Sequence, residues 1–165
     1  MKSSITLLLT FFIVYQAYCL TDDKQKTIHF SAGEIEWDHL QSHGIFKKNV
    51  SFEQGSTKLY ANSGFSIGDA THQFTKVVMY GSPKQQAHFI TVPKAQDPKV
   101  DAYADTMIYL PIKKLIILKG HVHVTQGRYQ FSAPYVKYDT ELKKLFTKQE
   151  HQEQTTIIVN PEKSS

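Results

Sequence analysis

The chain has one cysteine, Cys19, in 165 residues. Removal of a leader ending at Cys19 leaves no disulfide, no thiol nucleophile and no zinc–thiolate site. A secreted protein of that kind is held by its sheets alone, which suits a bacterial periplasm at least as well as an extracellular setting. Helical periodicity is missing as well. No stretch after residue 20 sustains apolar residues at three- and four-residue spacing together with caps, so a helical bundle is excluded. Charge of one sign is scarce: 19 Lys and Arg stand against 15 Asp and Glu, spread along the chain. With no aromatic–basic patch, nucleic acid is not an expected partner. No nucleophile–base set and no carboxylate pair stands out, so neither a catalytic residue nor an enzyme is expected. No cofactor is implied.

A long apolar run is lacking too. The longest, Ile5 to Val14, follows Lys2 and precedes Ala17-Tyr18-Cys19. That is the three-part form of a secretory signal, with small residues at the positions before Leu20. A membrane span needs about 20 apolar residues, more than this run supplies. Residues 1–19 are therefore expected to be a signal peptide and residues 20–165 one domain.

What the chain does have is strand-forming material: 10 Phe, 9 Tyr and many Val, Ile and Thr, in short runs cut by Gly, Pro and lysine pairs. It also has a repeat. Sliding the sequence by 72 residues superposes Ala32 on Ala104, Ile45 on Ile117, Lys47 on Lys119, Val50 on Val122 and Ala61 on Ala133. Gln54-Gly55 falls on Gln126-Gly127. Ala32 to Ala61 and Ala104 to Ala133 are each separated by 29 residues, which makes a shorter period inside the longer one.

Within the units, apolar residues alternate. Val50 and Phe52 interleave with Asn49, Ser51 and Glu53, and Val122 and Val124 with His121, His123 and Thr125. The phase changes at each small Ala-x-x site: Ile28 and Phe30 are even, Ile35 and Trp37 odd. The same happens between Ala104 and Met107 and between Ala133 and Val136. A slip of one residue would turn every side chain outward, so a bulge or corner is expected there. These patterns predict an all-β fold of about 14 to 16 short antiparallel strands in a jelly-roll-like stack whose ends are open to assembly.

Several segments carry a family resemblance: Ile28-His29-Phe30, the Val50–Gly55 and Val122–Gly127 strands, Tyr80-Gly81-Ser82-Pro83 with Ala87-His88-Phe89, and Thr155-Thr156-Ile157-Ile158-Val159. In order, spacing and length the chain resembles the OstA-like (LptA) family of periplasmic lipopolysaccharide-transport proteins. The resemblance implies an open, twisted β-jellyroll and no catalysis. It implies lipopolysaccharide as cargo, with the lipid A acyl chains in an apolar groove. The groove would be lined by Ile28, Phe30, Ile35, Trp37, Phe46, Val50, Phe52, Leu59, Phe89, Met107, Tyr109, Leu118, Val122, Val124, Phe131 and Tyr138. Implied partners are inner-membrane LptC with the LptB/LptF/LptG transporter, outer-membrane LptD, and further copies joined head to tail through Ile28, Phe30, Ile157 and Val159. The physics is consistent: one acyl chain left in water costs roughly 10 kcal/mol. Taken by themselves, the inward aromatics are equally compatible with a plain core. Two other readings remain, an LptC-like subunit anchored in the inner membrane and a periplasmic β-repeat structural protein.

Other residues attract attention and are read conservatively. His121 and His123 share a strand face, but no third or fourth ligand accompanies them, so no metal is expected. Asp38, Asp101, Asp105 and Asp139 recur near expected corners and read as turn chemistry. The pairs Lys47-Lys48, Lys113-Lys114 and Lys143-Lys144 read as protection of turns and edges.

Overall fold

Alternation of apolar and polar residues becomes twelve strands in the computed structural model, which describes residues 26–93, 95–149 and 153–161. They are β1 (Ile28–Ser31), β2 (Glu34–Asp38), β3 (His43–Gln54), β4 (Thr57–Gly68), β5 (Phe74–Tyr80), β6 (Ala87–Thr91), β7 (Val100–Ala104), β8 (Thr106–Leu110), β9 (Leu115–Gln126), β10 (Tyr129–Asp139), β11 (Lys144–Lys148) and β12 (Thr156–Val159). All described pairings are antiparallel. Among the described residues there are fewer strands than the 14 to 16 expected, for a simple reason: β3, β4, β9 and β10 each run through the bend as one long strand. The expected signal segment, residues 1–19, lies outside the described residues. No described helix is long and apolar enough to cross a membrane.

The repeat organises everything. β1 to β4 recur as β7 to β10 at the same 72-residue spacing, down to single backbone hydrogen bonds. Gly33 N donates to Lys48 O and Asp105 N to Gly120 O; Gly68 N donates to Ser42 O and Thr140 N to Lys114 O. After the shorter turn at 140–143 the spacing falls to 68, so β5 and β6 recur as β11 and β12.

Each long strand serves two short partners, one on each half. β3 pairs β2 through His43–Lys47 and β1 through Ser51–Gln54; β4 pairs β5 through Ser63–Gly68 and β6 through Lys58–Tyr60. β9 and β10 repeat the scheme with β8, β7, β11 and β12. Between the halves the register slips, at Lys47/Val50 in β3 and Ala133/Tyr135 in β10. Left-handed residues mark the bends: Lys48 and Asn49 at φ 65° and 55°, Gly120 and His121 at φ 74° and 45°. The corners expected after Ala32 and Ala104 are the breaks between β1 and β2 and between β7 and β8. The bent strands fold the sheet into two facing layers, and the phase changes keep apolar side chains between them.

The two tight hairpins that join β3 to β4 and β9 to β10, Gly55-Ser56 and Gly127-Arg128, need glycine at their first central residue, which has φ 60° and 56°. Packing between the layers is tight. Phe52, Leu59, Val77, Met79, Ala87, Ala102, Met107 and Val136 are all fully buried. Each large apolar side chain so placed contributes roughly 1.5–3 kcal/mol.

Candidate functional site

The interior between the layers is built as rows that cross the sheet. In one layer the row is Phe30–Phe52–Leu59–Phe89–Ala102–Val124–Phe131–Ile157. In the other it is Ile35–Phe46–Gly64–Met79–Met107–Leu118–Val136–Thr147. Gly64 leaves room where a Cβ would stand 2.6 Å from Met79 Sδ. Of the sixteen residues expected to line the groove, fourteen belong to this packed interior or lie against it, and Ile35 and Trp37 on β2 are exposed. The expected lining left out Ala102 and Val136, whose alternation the sequence shows, and Val77, Met79 and Ile116, all of which are buried in the same interior. Met79 and Met107 face each other across the junction of the two units.

The layers touch through rings. Phe30 stacks on Phe46 at 4.4 Å between centroids, meets Phe52 at 5.1 Å and Phe74 at 5.3 Å, and Phe52 meets Tyr109 at 5.8 Å. Such pairs add about 0.5–1.5 kcal/mol beyond burial. Over its middle the interior is packed: the cavity beside Phe89, Leu118, Val136 and Tyr138 holds about 20 Å³, room for about one water. Tyr138 Oη is buried there without a hydrogen-bond partner among the described residues, as is Ser66 Oγ elsewhere, on β4. Burial pushes the Tyr138 phenol above its ordinary range, and the nearby Asp97 and Asp139 carboxylates push the same way.

The interior opens at its two ends. On β2, Ile35 and Trp37 remain 50% and 44% exposed although they face inward, because no strand covers that edge. On β12, Ile157 and Val159 are 58% and 53% exposed. The four residues expected at the joint sit on the two terminal strands of one layer, Ile28 and Phe30 on β1 and Ile157 and Val159 on β12.

Outside, the polar residues do structural work. Asp38 accepts from the Leu40 and Gln41 amides and Asp139 from those of Glu141 and Leu142, as turn chemistry predicts. Asp101 departs from that expectation. It lies within β7, bound to Lys99 at 2.6 Å and His88 at 2.8 Å, while the His88 ring stacks on Tyr103. Burial raises the Asp101 carboxyl, but hydrogen bonds from Lys99 and His88 outweigh it and hold the group below its usual range. Lys47-Lys48 departs too, sitting at the β3 bend rather than at a hairpin. His121 and His123 are exposed; His121 bonds Asp105 at 2.7 Å, which raises its affinity for a proton.

Sequence and fold comparisons agree on where this architecture belongs. Residues 29–144 match the family described as the LptA/(LptD N-terminal domain) LPS transport protein. The chain belongs to that family. Over 125 residues, 76% of this chain and 70% of the relative, it is 26% identical to the lipopolysaccharide export system protein LptH of Pseudomonas aeruginosa. Its fold superposes on the crystal structure of LptH, the LptA-homologous periplasmic component of the lipopolysaccharide transport device of that organism. The TM-score is 0.77 at 22% identity, with 84% of this chain and 99% of the other covered. The family's β-jellyroll is thus the fold described above.

Proposed function

We propose that this chain is a periplasmic bridge that carries lipopolysaccharide from the inner to the outer membrane, with lipid A acyl chains held between the two layers. The observation carrying this reading is the apolar interior that runs through all the strands and stays uncovered at both ends. Acyl chains enter as the ring contacts of Phe30, Phe46, Phe52 and Tyr109 separate, exchanging one apolar contact for another. Trp37 is the informative probe because it faces inward yet is half exposed, so its substitution spares the fold. The variant Trp37→Asp is expected to lose co-purifying lipopolysaccharide, read by mass spectrometry, while keeping its circular dichroism. Undiminished lipid in that variant would sink the assignment. Phe30 and Tyr109 are less suitable, since each holds the layers together.

The head-to-tail joint has a template inside the chain. The two repeat units meet where β6 pairs β7 and β5 pairs β8, with Phe89 opposite Ala102 and Val77 opposite Tyr109. Shifted by the repeat, the same register sets β12 against β1 of the next copy, Ile157 opposite Phe30 and Val159 opposite Ile28. It also sets β11 against β2, Leu145 opposite Trp37. Unpaired strand edges give the affinity and the apolar rows run on across the junction. LptC and the LptB/LptF/LptG transporter at one end, and LptD at the other, are the partners for the same two edges. A chain carrying Phe30→Cys and Ile157→Cys should form disulfide-linked ladders under mild oxidation, whereas either variant alone stops at dimers or monomers. Removal of β12 should leave a folded, lipid-competent monomer by light scattering; growth in mass as for the intact chain would place the joint elsewhere.

A further inference from the structure

Four turns close the strands of the layer that contains β2, β5, β8 and β11 on one rim: 39–42, 69–73, 111–114 and 140–143. Strand register puts them in a row, since Asp38 faces His43, His43 faces Ile67, Leu110 faces Leu115 and Asp139 faces Lys144. Three of the four carry an aliphatic residue at the tip: Leu40 is 93% exposed, Leu142 62% and Ile112 56%. Leu40 and Ile112 occupy the same position in the two repeat units. These tips are held outward, not left loose. Asp38 Oδ1 binds the Leu40 amide at 2.9 Å, Asp139 Oδ1 binds the Leu142 amide at 2.8 Å, and Lys114 N donates to Pro111 O at 3.2 Å. The corresponding hairpins of the opposite rim are polar, Gly55-Ser56 and Gly127-Arg128.

Lysines stand beside the tips. Lys114 pairs with Glu141 and Lys143 with Asp97, which neutralises those two acids. The Asp38, Asp69 and Asp139 carboxylates are turned to backbone amides below the tips. Lys113 and Lys144 form no ion pair among the described residues. Three rigid aliphatic protrusions on one edge, with unpaired lysines next to them, match the depth profile of a bilayer surface: acyl boundary for the tips, phosphate level for the ammonium groups.

We infer that this rim is a membrane-docking edge, seating Leu40, Ile112 and Leu142 in the interface of a bilayer that carries anionic phospholipid. The inference goes beyond the transport reading and does not require the interior to hold lipid. Vesicle flotation tests it, with the full chain as cells produce it and vesicles of phosphatidylcholine with or without phosphatidylglycerol. The wild-type chain should float, more so with phosphatidylglycerol; Leu40→Ser, Ile112→Ser and Leu142→Ser together should lower the floating fraction about tenfold or more. Lys113→Gln with Lys144→Gln should remove the preference for phosphatidylglycerol. An environment-sensitive dye on Leu40→Cys should shift to the blue with vesicles, and the same dye on Arg128→Cys of the opposite rim should not. Bound lipopolysaccharide in the triple variant is expected to be unchanged, so loss of that lipid alone, without wild-type flotation, assigns the tips to cargo loading and overturns the inference. Equal flotation of the triple variant, or dye shifts at both rims, overturns it as well by placing the contact elsewhere.

Discussion

The two repeat units share a backbone, yet they solve the same corner with opposite residues. In the first unit glycine sits at the break between β1 and β2, and a Cβ on Gly33 would come within 2.9 Å of Lys48 Cβ. In the second unit glycine sits on the long strand instead, and a Cβ on Gly120 would come within 2.3 Å of Asp105 Oδ2. The contact has space for one side chain, and either partner can give it up. The choice has consequences: Lys48 must hold a left-handed conformation at φ 65°, whereas Gly120 adopts φ 74° freely. Cores differ as well, with Phe52 in the first unit where the second has Val124. At three matched positions the first unit has rings, Phe30, Phe46 and Phe52, where the second has Ala102, Leu118 and Val124.

The core comparison should give the largest effect. Phe52→Ala is expected to cost about 3–5 kcal/mol of stability in urea unfolding, from lost burial and the cavity it leaves. Val124→Ala, at the equivalent site, should cost only about 1–2 kcal/mol. Equal costs would mean that the two units do not differ in how rings fill them.

The corner comparison comes next. Gly120→Ala combines a left-handed backbone with a clash on Asp105 and should cost about 1–3 kcal/mol. Adding Asp105→Gly transfers the glycine to the other partner, as in the first unit, and should recover part of that loss. A double variant no better than Gly120→Ala alone would break the idea that either side can yield.

The smallest effect is a titration. His121 belongs to the second corner only; its place in the first is taken by Asn49. The Asp105 hydrogen bond, helped by the carboxylate's charge, raises the His121 pKa, so its NMR midpoint should lie above the ordinary value of about 6.5. Asp105→Asn should bring it back down. Because the folded value is the higher one, the contribution to stability is fully present below the unfolded value and is lost as pH rises through the folded one. A midpoint that does not respond to Asp105→Asn would detach the pair from the corner.

Much of this architecture was readable in the chain because it depends on local chemistry repeated in register. The 72-residue spacing, the phase change at Ala32, Ala104 and Ala133, and the turn aspartates Asp38 and Asp139 each express a rule acting over a few residues. Inward parity picked fourteen residues that lie in or against the packed core, whereas Ile35 and Trp37, chosen by the same rule, are exposed on β2. The described strands are fewer and longer than expected because a bend and a strand end look alike along the sequence. The bends at Lys48-Asn49 and Gly120-His121 interrupt alternation without interrupting the strand, since hydrogen bonding continues on both sides.

The sequence by itself determined an all-β chain in two similar units, with one apolar face and polar turns, because side-chain alternation and turn residues act locally. Only the tertiary structure decided how that apolar face is used. Whether rings meet each other depends on the distance between layers, and this is set by bends far apart in the chain: Phe30 reaches Phe46 and Phe74 only once β3 has folded over. The same holds at the edges. Trp37 and Ile157 have the parity of core residues, and their exposure follows from having no next strand to cover them, a fact of topology that no local pattern contains.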